Sequence, residues 1–319
     1  MPLLDMPLSQ LEKYQGINPR PEDHDVYWER ALAEMRATKP DVELVRAEFQ
    51  TPFAECFHLY FTGVRGARVH AKYLRPRGAR AKHPALLEFH GYSMSSGDWV
   101  GKLPWVAVGH CIAALDCRGQ GGLSEDTGGV KGTTLNGHFV RGLLDTADNL
   151  LFRQIFLDTA QLAQIVMGFD EVDEARVGAL GGSQGGALTL ACAALEPRIK
   201  RAAPTYPFLS DYQRVWEMDL AVNAYHELKE LFRRHDPTHL REKEWFTRLG
   251  YIDVQHLAPR IRAEVLMGVG LMDAICPPSS QYAAYNKITS QKRAVVYPDF
   301  GHEHLPGFAD EVWQFLSTL

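Results

Sequence analysis

From residue 84 onward the chain alternates short apolar runs, bounded by glycine or proline, with stretches of helical spacing. The runs read "ALLEFHG", "CIAALDCRG", "RVGALGG", "RAAPTY", "EVLMGVG" and "RAVVYP". Apolar runs that do not alternate with polar residues are the mark of strands buried on both faces, and strands that alternate with helices are joined by crossovers rather than hairpins. This order predicts an α/β fold with a mostly parallel central sheet covered by helices on both faces. The clearest crossover helix runs from about 145 to 168, with Phe152, Ile155, Phe156, Thr159, Leu162, Ala163 and Val166 on one stripe.

The flanking segments follow other patterns. Residues 22–37 place Trp28, Leu32 and Met35 at helical spacing behind an acidic start, which predicts an amphipathic outer helix within an N-terminal helical arm over 1–40. "CFHLYFTG" and "RVHAKYLRP" are separated by the turn-like Gly63 to Gly66 and read as an antiparallel hairpin. Residues 207–258 are rich in charge and aromatics at helical spacing, and so read as a helical lid inserted into one domain spanning 1–319.

A net charge of −5 gives no basic footprint for nucleic acid or an anionic membrane surface. Asp5, two prolines and Glu12 interrupt the N-terminus where a secretory signal needs a basic start and an unbroken apolar run. Cys56, Cys111, Cys117, Cys192 and Cys276 are odd in number and show no C-x-x-C spacing, so neither a disulfide framework nor a zinc site is expected. The expected compartment is the cytoplasm.

Chemistry concentrates at Gly181-Gly182-Ser183-Gln184-Gly185, a G-x-S-x-G sequence lying between a strand and a helix. On its own the sequence is weak, since glycine and serine are common in loops. At a strand-to-helix junction the flanking glycines permit the tight turn that lifts a serine hydroxyl above the carboxyl edge of the sheet. A serine nucleophile needs a base and a group to orient the base. Asp273 follows the run "EVLMGVG" and His302 follows "RAVVYP", which gives the order Ser, acid, His that this arrangement uses. Asp299 is a rival for the acid, although its place in the His302 loop suits a turn former. His304 is a rival for the base, but Gly301 gives His302 the tighter turn. Two histidines in "HEH" without a third ligand do not make a zinc site. The amides of Gln184, at the helix start, and of Tyr92, after "FHG", are the candidates for an oxyanion hole.

These residues resemble the acetyl xylan esterase/cephalosporin C deacetylase family, carbohydrate esterase family 7, through Arg118-Gly119-Gln120, Gly181-Gly182-Ser183-Gln184-Gly185 and His302-Glu303 taken in order. Residues 61–76, 141–163 and 269–286 are similar to family segments too, so the resemblance covers most of the chain. It implies an α/β-hydrolase fold in which Ser183 is the nucleophile, Asp273 the orienting acid, His302 the base, and the Tyr92 and Gln184 amides the oxyanion hole. Arg118-Gly119-Gln120 would support the loops around the site. No metal or organic cofactor is implied.

The family's small acetylated substrates, acetylated xylo-oligosaccharides and cephalosporin C, are the implied partners. The implied assembly is a hexamer with its sites facing an internal cavity. Residues 128–140 are poorer in aromatics and proline than the family pattern, and "ADNLLF" stands where a tyrosine-rich patch is expected. Tyr92, Ile275, Trp105 and Phe208 are the candidates for a shallow acyl pocket. Two other readings stay open: a general carboxylesterase or prolyl-type peptidase of the same fold, and a catalytically silent hydrolase fold used for binding.

Overall fold

The computed structural model describes residues 4–78, 81–127 and 138–319, so most of the 128–140 departure lies outside the described residues. Among the described residues nine strands form one sheet: β1 (Glu43–Arg46), β2 (Ala54–Thr62), β3 (Arg68–Pro76), β4 (His83–Phe89), β5 (Cys111–Leu115), β6 (Val172–Gly182), β7 (Arg201–Thr205), β8 (Glu264–Gly270) and β9 (Lys292–Tyr297). Their order is β1-β2-β3-β5-β4-β6-β7-β8-β9. From β5 to β9 every pair is parallel, as the apolar runs predict, and β1, β2 and β3 extend one edge antiparallel. The β2–β3 hairpin forms as read, with Phe57 opposite Tyr73 and Leu59 opposite Ala71.

The helix Gln184–Leu195 is buried along its whole length. Its apolar circumference and run of alanines suit a position between the sheet and a second helix rather than at the surface. That second helix begins at Leu151, not near 145, and ends at Met167. Residues 147–149 form a separate 3₁₀ turn, and Leu150 is extended (φ −60°, ψ 128°), which breaks the periodic stripe into two elements.

The helix His24–Ala37 lies on this layer, with Trp28 stacked on Phe156 at 6.0 Å. The chain before it is tied to the body rather than projecting as an arm: Tyr14 donates to Asp211 at 2.7 Å, and Asp5 pairs with Arg214 at 2.9 Å. Between β7 and β8 the inserted segment carries the helices Tyr212–Glu217, His226–His235, Glu242–Leu249 and Val254–Leu257. Among the described residues no helix is long and apolar enough to cross a membrane.

His24 and His256 meet edge to face in this region, 5.8 Å apart. Burial, followed by Arg20, lowers the pKa of His24 to about 4. Burial, followed by Lys287, lowers that of His256 to about 3. A histidine whose pKa is depressed on folding contributes no penalty above its unfolded value near 6.5, but below it the unfolded chain gains a proton that the native chain does not. Stability is therefore expected to fall as pH drops from about 6.5 towards 4 and then 3, by several kcal/mol at about 1.4 kcal/mol per pKa unit. Urea unfolding across that range, with His256→Asn flattening the curve, checks this.

Candidate active site

The loops that leave the carboxyl ends of the parallel strands β4 to β9 gather at one edge of the sheet, the position where open α/β sheets bind ligands. β4 ends at Phe89 and leads to Tyr92, β5 leads to Arg118-Gly119-Gln120, and β6 leads to Ser183. β7 leads to Tyr206, β8 to Asp273 and Ile275, and β9 to His302.

Ser183 sits at φ 58°, ψ −119°, immediately before the helix that starts at Gln184. A non-glycine residue in this region costs about 1–3 kcal/mol and persists only where its surroundings hold it. Here its N–H donates to Thr205 O at 2.9 Å, and its carbonyl accepts from Ala187 at 3.1 Å and from Phe208 at 3.0 Å. The flanking glycines are required by space. A Cβ on Gly185 would lie 2.0 Å from Phe89 O, and one on Gly181 would lie 2.6 Å from both Phe89 O and Gly185 O. The turn therefore exists because strand β4 and the helix start approach each other too closely for any side chain.

His302 donates from Nδ1 to Asp273 Oδ2 at 2.8 Å. Asp273 is fully buried, and its other oxygen accepts the amides of Ile275 at 2.9 Å and Cys276 at 2.8 Å. Such a carboxylate is fixed in place, which fixes the tautomer of His302 with the proton on Nδ1 and the lone pair on Nε2. Ser183 and His302 line one cavity of about 520 Å³ together with Gly91, Tyr92, Met94, Gly182, Tyr206, Asn223, Ala224 and Ile275. That size lies within the range of small-molecule sites.

The Cys276 thiol lies against the Ser183 hydroxyl, and burial and the Asp273 charge hold its pKa well above the ordinary value. It stays a thiol and is no rival nucleophile. Cys276, Asp273 and His302 offer ligand atoms within 4.8 Å of one another, but both Asp273 oxygens and His302 Nδ1 are already bonded within the protein.

The two amides proposed as oxyanion donors are braced through side chains. The Gln184 side chain donates to Gln120 Oε1 at 3.1 Å and accepts from Gln120 Nε2 at 2.9 Å, and Gln120 Oε1 also accepts the Ser93 amide at 2.9 Å. Gln120 thus joins the two loops that carry Tyr92 and Gln184. His90 donates from Nδ1 to Gly91 O at 2.7 Å and accepts the Cys117 amide on Nε2 at 3.0 Å, a pattern that only the neutral ring can make. Burial, the largest influence, lowers its pKa and favours that form.

Arg118 points away from the cavity. It grips Asp158 with two bonds of 2.5 and 2.6 Å and donates to Val64 O at 2.8 Å, and it is 2% exposed. A Cβ on Gly63 would lie 2.3 Å from the guanidinium, so the glycine leaves room for it. Arg118→Ala strands the buried Asp158 carboxylate and is expected to cost about 3–5 kcal/mol, read as a drop in the urea midpoint.

Two expected pocket residues are placed elsewhere. Phe208, 1% exposed, stands behind Tyr92 (5.4 Å) in a cluster with Phe139 and Tyr225, because the chain turns inward at Pro207 after β7. Trp105 stacks on Trp313 at 4.4 Å and lines a neighbouring cavity of about 440 Å³, which meets the Ser183 cavity only at Gly182 and Tyr206. Tyr92 and Ile275 do line the Ser183 cavity. Sequence reasoning missed Met94, Tyr206, Asn223 and Ala224. Of these, Tyr206 carried a signal, since it immediately follows a parallel strand.

With this geometry in hand, comparison decides the family: the model for acetyl xylan esterase (AXE1) matches residues 1–319. The chain belongs to the acetyl xylan esterase family. It is similar to acetyl xylan esterase 1 from Thermoanaerobacterium sp. JW/SL YS485, with 62% identity, a TM-score of 0.97, and 98% of this chain and 99% of that chain covered. An acetyl xylan esterase from Paenibacillus sp. R4 shares 34% identity at a TM-score of 0.94, again over 98% and 99% of the two chains. Acetyl esterase Axe7A of Xylanibacter ruminicola is 27% identical over 316 residues, which cover 92% of this chain and 69% of that protein. Within this family the chain is a carboxylic ester hydrolase of α/β-hydrolase fold.

Proposed function

We propose that this acetyl xylan esterase family member removes acetyl groups from small acetylated substrates through Ser183, His302 and Asp273, with acetylated xylo-oligosaccharides first among them and cephalosporin C within reach. The observation that carries the reading is the pairing, in one cavity, of a strained Ser183 at a helix start with a His302 whose Nδ1 is held by buried Asp273. Ser183 Oγ attacks the ester carbonyl carbon while His302 Nε2 takes its proton. The oxyanion is met by the amides of Tyr92 and Gln184. Collapse breaks the ester C–O bond, and the leaving alcohol takes the proton from His302. Water, deprotonated by His302, then attacks the acetyl-Ser183 ester, and acetate leaves as Ser183 recovers its proton.

Tyr92 and Ile275 form the acyl wall, so short acyl groups are favoured. Asn223 and Ala224 bring the inserted segment over the cavity, which supports its reading as a lid. Assembly as a hexamer rests on the family resemblance, and a cytoplasmic location on the scattered cysteines, all buried and free. The test compares p-nitrophenyl acetate, butyrate and octanoate, and then acetate release from acetylated xylo-oligosaccharides and cephalosporin C. The reading expects acetate to lead and both natural classes to be deacetylated. Equal rates with octanoate would point to a general carboxylesterase.

A further inference from the structure

Glu227 lies on the inserted helix His226–His235 and is 4% exposed. Its carboxylate accepts the His138 amide at 2.9 Å on one oxygen and the Val140 amide at 3.2 Å on the other. Among the described residues it has no ion-pair partner. Burial pushes its carboxyl up to about 8 even though the amides of 138–140 favour the ionised form. A buried acid held only by backbone amides is a costly way to fix one turn unless the position of that turn matters.

The turn it fixes clamps the loop of Tyr92. The His138 amide, shared with Glu227, also donates to Tyr92 Oη at 2.8 Å. The His138 ring packs on the Tyr92 ring at 5.0 Å, and its Nε2 bonds Ser93 Oγ at 3.0 Å. Ser93 sits at φ 60°, so the residue after Tyr92 holds a backbone shape that needs outside support. Tyr92 lines the cavity, and its own amide is the second oxyanion donor in the function proposed above.

We propose that Glu227 is a positioning residue for ester hydrolysis, acting from the inserted segment through the 138–140 turn to hold Tyr92 and its oxyanion-binding amide in place. This rests on the assignment of Ser183 and Tyr92 to the reaction. A residue that positions an oxyanion donor affects the transition state more than the ground state.

The test is a double-mutant cycle of Glu227→Gln and Tyr92→Phe in the full chain, with kcat and KM for p-nitrophenyl acetate measured on protein whose folding is verified, and Ser183→Ala alongside. Removing an oxyanion donor outright costs about 10²–10³-fold in kcat, so loosening one should cost about 10-fold with KM nearly unchanged. Because both side chains act on the same amide, the double variant should lose little more than the worse single one. Glu227→Asp, which keeps the carboxyl but retracts it, should show the same kcat loss and serves if the glutamine variant does not fold. Losses that multiply, or a change in melting temperature with kcat intact, would overturn the inference while leaving the function standing. If Ser183→Ala keeps wild-type activity, the underlying reading fails and the inference goes with it.

Discussion

Changing Ser183 to alanine should lower kcat for p-nitrophenyl acetate by about 10⁶-fold, the scale seen when a serine hydrolase loses its nucleophile. Alanine keeps the helix start and removes only the oxygen. The strain at φ 58° belongs to the backbone and persists, since the Gly181 and Gly185 contacts with Phe89 are untouched. Only the weak contact of the hydroxyl with the Cys276 thiol is lost, so stability should change by less than about 1 kcal/mol. Steady-state kinetics together with a urea melt on the same sample separate loss of chemistry from loss of fold. A variant that loses both would mean that the hydroxyl serves the structure.

The second large effect is expected at Asp273. Asparagine has almost the same shape, and its carbonyl oxygen can still accept the amides of Ile275 and Cys276. Its amide nitrogen then faces His302 as a donor, so His302 Nδ1 must accept and the ring proton moves to Nε2. In that tautomer Nε2 cannot take the Ser183 proton. The expected loss is about 10⁴-fold in kcat, with the melting temperature little changed. Asp299→Asn is the comparison, because it alters the rival carboxyl in the His302 loop without touching this bond. Its kcat should stay near wild type.

Much of this was legible in the chain because each functional residue follows an apolar run of distinctive pattern. β6, β8 and β9 could be read from "RVGALGG", "EVLMGVG" and "RAVVYP", and the residue after each strand of an open parallel sheet has only one edge to occupy. Ser183, Asp273 and His302 are therefore candidates for one edge from the chain alone. What periodicity does not carry is the side to which a buried aromatic turns. Trp105 and Phe208 are apolar and near site loops in sequence, yet one packs on Trp313 and the other behind Tyr92. β1 was missed because its four residues are mostly exposed and show no alternating pattern. Asn223 and Ala224 reach the cavity only through the fold of the inserted segment, and no local pattern marks them.

Gln120 was likewise illegible in the chain. In sequence it is one polar residue in a glycine-rich turn, and the resemblance gave it only a supporting role. In the structure it bonds both the Gln184 side chain and the Ser93 amide, so it sets the spacing between two loops far apart in the chain. Arg118 supports the same turn from below by pairing with Asp158. Both act through bonds across 27 to 64 residues of chain, a separation that no spacing rule reaches.

The most direct test of the account is to quench the wild-type enzyme during turnover of p-nitrophenyl acetate in acid and locate any acetyl group by peptide mass spectrometry. One acetyl group is expected on Ser183, accumulating further in a His302→Ala variant relative to its residual turnover and absent from Ser183→Ala. An acetyl group on another residue, or wild-type turnover by Ser183→Ala, would contradict it.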